Sequence, residues 1–313
     1  VAQKRLISFD WRIIPMLVIT ALIVGVLINN LAGLDEFWGV VKAADLTWFL
    51  ASILVMIFAV TLAIFRLQMV LRAMGYEIPF LRATDAIVAT WPLALITPSR
   101  AGDLVRAWIL KDLCPPMEGS GAVVVERMID VQSLCILAMV GAALVGYWPA
   151  FGLALLILAA EWIFVFGLVL NRLYHKLPVL KHKAEKLDRF LFAFQAMKDR
   201  PAAFAMVNVI SLLAWFTNVG IVVALLEALD AQVEWLHTLA AWPLALFIGL
   251  LPITVGGMGT RDAGFYVVLT MMQPADEARV LAASLGYAVI TLWLFSVIGL
   301  PFMLRHMARE RES

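Results

Sequence analysis

Three short stretches of this chain carry charged residues at spacings suited to gripping an anion. Arg100, Asp103 and Arg106 stand at i, i+3 and i+6, which on a helix makes a ladder along nearly one face. Glu126 and Asp130 are i and i+4, and Arg127 lies between them. Gly256, Gly257 and Gly259 lead into the adjacent pair Arg261 and Asp262. A guanidinium is a planar fork that donates two parallel hydrogen bonds to a phosphate, which a lysine cannot match. Neighbouring carboxylates would order such arginines and hold them when the site is empty. Each group also has a plainer reading. Asp103 would merely neutralise Arg100 or Arg106, with Arg106 snorkelling to the cytoplasmic surface. Glu126, Arg127 and Asp130 would be a local ion cluster at the membrane interface, against the functional reading that they hold Arg100 in place or bind a cationic headgroup. Arg261 and the adjacent Asp262 point to different helix faces and cannot cancel as an i, i+4 pair would, and the plainer reading of Arg261 is that it binds outer carbonyls or Asp262.

The segments that must position these residues are marked by a repeat. Trp-Pro-Leu-Ala-Leu begins at Trp91 and again at Trp242, and each copy runs into a stretch with Pro, Gly, Arg and Asp. Pro98 and Pro252 remove amide donors and end helices, while Gly256 and Gly257 permit unusual dihedrals and close approach to a ligand. Repeated, interrupted apolar segments point to a transporter's binding site. Irregular backbone at membrane depth is tolerated only where protein or a water-filled cavity satisfies it, so a cavity is expected at both breaks. Half-helices restarting near Ser99 and Thr260 would aim free amides and a positive dipole end at an anion.

Composition excludes a soluble domain: 63% of residues are hydrophobic, 15% are charged and the mean hydropathy is +0.93. A crossing helix needs about 20 apolar residues, and six stretches qualify, at residues 13–34, 48–65, 121–147, 150–170, 202–226 and 280–304. Two further apolar regions, 83–113 and 237–272, are each split near the middle and are expected to be re-entrant pairs of half-helices. The fold class expected is therefore an all-α polytopic membrane protein with an inverted repeat. The halves are residues 1–149 and 150–313, each with three spans and one re-entrant pair. Three is an odd number of crossings, so the second half would be upside down relative to the first, and the two hairpin tips would meet near the midplane.

Lysine and arginine collect on cytoplasmic loops. With both termini inside, only Lys42, Arg261 and Arg279 are left for the outer side, and Arg66 counts among the cytoplasmic bases. Trp38, Trp48, Trp148 and Trp235 fall at the expected outer boundary, where indole rings anchor. Residues 173–200 read as a basic amphipathic helix on an anionic membrane surface, which is preferred to a nucleic-acid site. Glu161 stands alone among Ala, Trp, Ile and Phe, where a charged carboxylate is costly. It is the candidate for proton coupling, against the plainer reading of a hydrogen-bonded interior acid. The four histidines form no ligand pattern, and Cys114 and Cys135 suggest neither a disulfide nor a metal site, so no cofactor or metal is expected.

At these motifs the chain resembles the transmembrane family of the lysylphosphatidylglycerol synthases and its flippase-like relatives. The resemblance rests on Pro98, Arg100, Gly102, Asp103 and Arg106, on Glu126, Arg127 and Asp130, and on Gly256, Gly257, Gly259, Arg261 and Asp262. Asp103 and Asp262 stand where the family pattern more often has Glu. The resemblance implies movement of lipids with a phosphate-containing headgroup between leaflets, in a bacterial inner membrane, and not an enzyme. No synthase domain is expected after Ser313, and homo-oligomerisation is left open. The rival reading is a membrane glycosyltransferase using a polyprenyl-phosphate donor, or a noncatalytic partner of such an enzyme.

Overall fold

The computed structural model describes residues 13–97, 102–170, 184–251 and 253–312, and these contain helices and turns but no strand. The elements are α1 (Ile13–Leu27), α2 (Leu34–Lys42), α3 (Leu46–Ala73), α4 (Phe80–Ile96), α5 (Val105–Ile109), α6 (Pro116–Leu144) and α7 (Trp148–Phe164). They continue with α8 (Ala184–Phe190), α9 (Phe192–Asp199), α10 (Pro201–Ala228), α11 (Trp235–Gly249), α12 (Thr260–Thr270), α13 (Glu277–Ala288) and α14 (Phe295–Glu312). Local chemistry sets several of the boundaries. Asp45 and Asp276 cap α3 and α13 by accepting from the amides of Thr47 and Arg279, at 2.7 and 2.9 Å. Pro116 and Pro201 open α6 and α10, where a missing N–H costs nothing.

Among the described residues, four helices are long and apolar enough to cross a bilayer: Leu46–Ala73, Trp148–Gly167, Pro201–Ala228 and Glu277–Ala308. The pair Pro15–Asn30 and Leu34–Lys42, bent by 89°, makes a fifth if it is one span. Of the six expected stretches, two differ from a simple continuous apolar span. The first apolar stretch ends in a π-turn, Ile28–Ala32, and breaks at Gly33, whose φ of 72° suits only glycine. The third stretch is the 29-residue α6, which carries Glu118, Glu126, Arg127 and Asp130 and lies enclosed by other helices. Length alone would let it cross.

Lipid tails are as apolar as leucine, so helices in a bilayer associate by close packing of small residues. Ala138 and Ala142 of α6, Ala150 and Ala154 of α7 and Ala240 of α11 form one such seam. α3 packs along α10 in the most extensive helix pair, while α4 packs on α14 and α11 on α6. The two Trp-Pro-Leu-Ala-Leu copies account for the last two crossings. A proline within a helix frees the carbonyl four residues earlier, which is Val88 for Pro92 and Leu239 for Pro243. A glycine of the crossing helix lies against each. A Cβ on Gly299 of α14 would sit 2.3 Å from the Val88 oxygen, and one on Gly141 of α6 would sit 2.7 Å from the Leu239 carbonyl carbon. Each tryptophan is pinned edge-on, Trp91 by Phe295 at 4.6 Å and Trp242 by Phe265 and Tyr287 at 5.1 and 4.7 Å.

Trp38, Trp48, Trp148 and Trp235 are all exposed. The basic segment is described from residue 184 onward, as α8 and α9. It packs on α6 and α3 through Ala193, Phe194, Ala196 and Met197 and does not lie free on a surface. Its residues 173–183 lie outside the described residues.

Candidate functional site

The chain breaks twice after a proline-bearing helix, and in both places it doubles back on that helix. After α4, a Cβ on Gly102 would lie 2.4 Å from the Leu93 carbonyl carbon, and the Gly102 amide donates to Thr97 Oγ1 at 2.7 Å. After α11, a Cβ on Gly257 would lie 2.7 Å from the Gly249 oxygen, at a φ of 75°. Only glycine permits either return. The two breaks adjoin: Leu95 packs with Val255, Met258 and Leu292, and Leu95 Cδ1 is 3.6 Å from a Cβ placed on Gly256. A cavity of about 340 Å³ lies between them, lined by Thr97 from the first break and Thr254, Gly256, Gly257 and Arg261 from the second. Arg127, Asp130 and Trp215 close its other side.

One ionic cluster gathers at the first break. Glu126, fully buried, bridges two arginines, with Oε1 3.3 Å from Arg66 Nε and Oε2 3.2 Å from Arg106 Nη1. Arg106 also reaches Asp103 Oδ1 at 3.0 Å and Thr90 Oγ1 at 3.4 Å. Asp130 accepts from Arg66 Nη1, from Trp215 Nε1 at 2.6 Å and from Ser211 Oγ at 3.2 Å. Arg127 spans Asp130 and Asp103 at 3.3 and 3.7 Å. Three guanidiniums thus meet three carboxylates, drawn from α3, the α5 turn and α6, and α10 adds the Ser211 hydroxyl and the Trp215 indole. Their exposure divides them: Arg66 and Arg106 are sealed at 3% and 5%, whereas the Arg127 side chain is 37% exposed and faces the cavity.

The second cluster is local. Asp262 Oδ2 accepts from the Gly259 amide at 2.8 Å and so caps α12, while its Oδ1 takes Arg261 Nη2 at 2.6 Å and Nε at 3.0 Å. Arg261 therefore pairs with its neighbour, as the plainer reading of this residue had it, although adjacent side chains start on different helix faces. At the first turn of a helix its long side chain curls back onto the cap carboxylate. The guanidinium carbon also lies 4.9 and 5.3 Å from the rings of Tyr287 and Trp242, and Nη2 donates to the Ser284 carbonyl at 3.2 Å. Asn218 holds both rings, at 3.0 Å from the Tyr287 hydroxyl and 3.3 Å from Trp242 Nε1.

Asp103, Arg106, Glu126, Arg127 and Asp130 thus come together, and Gly256, Gly257, Arg261 and Asp262 meet them across the cavity. Arg106 is buried and does not snorkel. Arg100, Pro98, Ser99 and Pro252 lie outside the described residues, and regular helix resumes at Val105 for the first break and Thr260 for the second. Arg66 was counted as a loop base and is instead the deepest cation of the first cluster. A basic residue that ends an otherwise apolar run was the available signal for it. Trp215 and Ser211 carried none. Glu161 stands apart: its oxygens are buried beside α6, near Cys135, without a hydrogen-bond partner among the described residues. Both cysteines are free. Burial, with the Glu118 carboxylate nearby, pushes the Cys114 thiol up to about 12, so it stays neutral and inert. No group of three or more metal-ligating side chains occurs among the described residues.

Apolar spanning helices around a cavity lined by paired ions and broken backbone define a multi-pass membrane protein. Its sequence matches the lysylphosphatidylglycerol synthase TM region over residues 13–299, and the chain belongs to that family. It is 23% identical over 270 residues to the UPF0104 membrane protein of Archaeoglobus fulgidus, covering 78% of this chain and 82% of that one. It is 26% identical over 272 residues to glycosyltransferase AglD of Haloferax volcanii, covering 72% of this chain and 43% of that one. The chain thus spans less than half of that relative.

Proposed function

We propose that this protein moves lipids with a phosphate-containing headgroup between leaflets by alternating access, with the phosphate held in the cavity between the two breaks. The observation that carries this reading is that the cavity presents Arg127 from one ionic cluster and Arg261 from the other, across backbone that only glycine allows. Both guanidiniums are already paired, to Asp130 and Asp262. A phosphate enters by displacing a carboxylate, and the carboxylate resets the empty site when the lipid leaves. Arg66, Arg106, Asp103 and Glu126 hold this arrangement rigid, and Arg100 is part of the proposal as a further phosphate-binding residue.

The reciprocal crossings of α4 on α14 and α11 on α6, each a glycine against a proline-freed carbonyl, support an inverted repeat with re-entrant breaks. Halves 1–149 and 150–313, with both termini cytoplasmic in a bacterial inner membrane, are part of the proposal. Homo-oligomerisation stays outside it. Glu161 is the proposed proton-linked group.

The second reading, a membrane glycosyltransferase or its noncatalytic partner, is favoured by the name of the Haloferax relative. A leaflet-exposure assay separates the two. Purified protein in liposomes is expected to expose labelled inner-leaflet phospholipid, and Arg127→Ala or Arg261→Ala to slow this about tenfold or more, the effect of one charge-assisted bond. Sugar transfer to a polyprenyl phosphate by the pure protein, without flipping, would favour the enzyme.

A further inference from the structure

A second cavity of about 150 Å³ lies on the opposite face of α6 from the ionic site. The helix divides its residues between the two. Arg127, Asp130, Val131 and Leu134 line the first cavity, while Val125, Met128, Ile129 and Gln132 line the second. Trp162, Phe194 and Phe204, from α7, α9 and α10, complete an apolar slot.

Two polar groups in this slot have no bonding partner among the described residues. Gln132 is 7% exposed, and its side-chain amide makes no hydrogen bond there. The amide is therefore open to the slot it lines and can bond to a ligand there. Lys198 lies at the slot, is itself exposed, and makes no ion pair with any described residue. The wall that carries Lys198 is fixed in place, because Arg200 at the end of α9 donates to the carbonyls of Ala73 and Arg72 at 2.6 and 3.1 Å.

An unpaired cation, a buried amide and apolar walls, in a protein whose solvent is lipid, match one ligand chemistry. We infer that this slot binds an anionic diacyl phospholipid, with the phosphate on Lys198, an ester carbonyl on the Gln132 amide and one acyl chain between Trp162, Phe194 and Phe204. The volume suits the upper part of a chain: it holds roughly five groups of the ~30 Å³ that a water occupies in the liquid. This site is separate from the transport cavity and does not depend on the proposed transport.

Trp162 serves as the reporter. The full chain is placed in vesicles that contain either phosphatidylglycerol or phosphatidylcholine brominated on the acyl chain, and the Trp162 signal is the difference between the unaltered protein and Trp162→Phe. Phosphatidylglycerol is expected to quench Trp162 about fivefold more effectively, the factor that one basic residue gives next to anionic lipid. Lys198→Glu, at an exposed position, abolishes the preference. Gln132→Leu lowers quenching by both lipids, because both carry the ester. Arg261→Ala, in the other cavity, leaves the preference intact. Equal quenching by the two lipids, or a preference that survives Lys198→Glu, would overturn the inference.

Discussion

The two breaks solve the same problem, charge beside irregular backbone inside a membrane, by different means. At the first, cations and anions come from three separate places in the chain, and Glu126 ties Arg66 to Arg106 across 60 and 20 residues of sequence. At the second, Arg261 finds its carboxylate on the next residue and its remaining support on two aromatic rings. The first cluster therefore clamps helices together, and its cations are spent on structure except for Arg127. The second pairs a cation within one turn and reaches α11 and α13 only through two rings and a backbone carbonyl. Rigidity on one side of the cavity and independence on the other suit a site that opens by moving one break against the other.

The sharpest way to break this contrast is Glu126→Ala. It leaves Arg66 with Asp130 alone and Arg106 with Asp103, so three guanidiniums share two carboxylates, and one uncompensated buried charge costs about 3–5 kcal/mol. Thermal unfolding in detergent should show that loss, with Glu126→Gln affected less. Asp262→Ala should cost about 2–3 kcal/mol, a cap together with one charge-assisted bond, because the rings and the Ser284 carbonyl still hold Arg261. Equal losses from the two variants would erase the distinction between clamp and local pair. Next come Gly141→Ala and Gly299→Ala, which press a methyl on equivalent crossing points. Each should cost about 1–3 kcal/mol by overpacking, and a large disparity would argue against equivalent halves. The smallest effect on stability belongs to Arg127→Ala. Its side chain is 37% exposed, so screening leaves under ~1 kcal/mol at stake, while transport falls steeply.

Much of this was legible in the sequence because it was written in short-range chemistry. The repeated Trp-Pro-Leu-Ala-Leu marked both broken helices, and the glycines before Arg261 marked backbone that turns back on itself. The i, i+4 spacing of Glu126 and Asp130 placed them on one face. Arg66 escaped because pairing across 60 residues leaves no local trace, and a basic residue after an apolar run looks the same whether it ends a helix in water or lies inside a bundle. The Arg261–Asp262 pair was legible only as the plainer of two readings, because face geometry describes helix interiors and the first turn obeys capping rules instead. The role of Pro92 and Pro243 was hidden for a similar reason: the glycines that meet their freed carbonyls lie on distant helices.

The central claim is that both breaks serve a single phosphate. A double-mutant cycle on binding of a short-chain phospholipid to the detergent-solubilised protein, with Arg127→Ala, Arg261→Ala and the pair, tests it directly. Two groups on one ligand are expected to show an interaction energy of about 1 kcal/mol or more, so that the double variant loses less than the sum of the singles. Strictly additive losses, or unchanged affinity in either single variant, would contradict it.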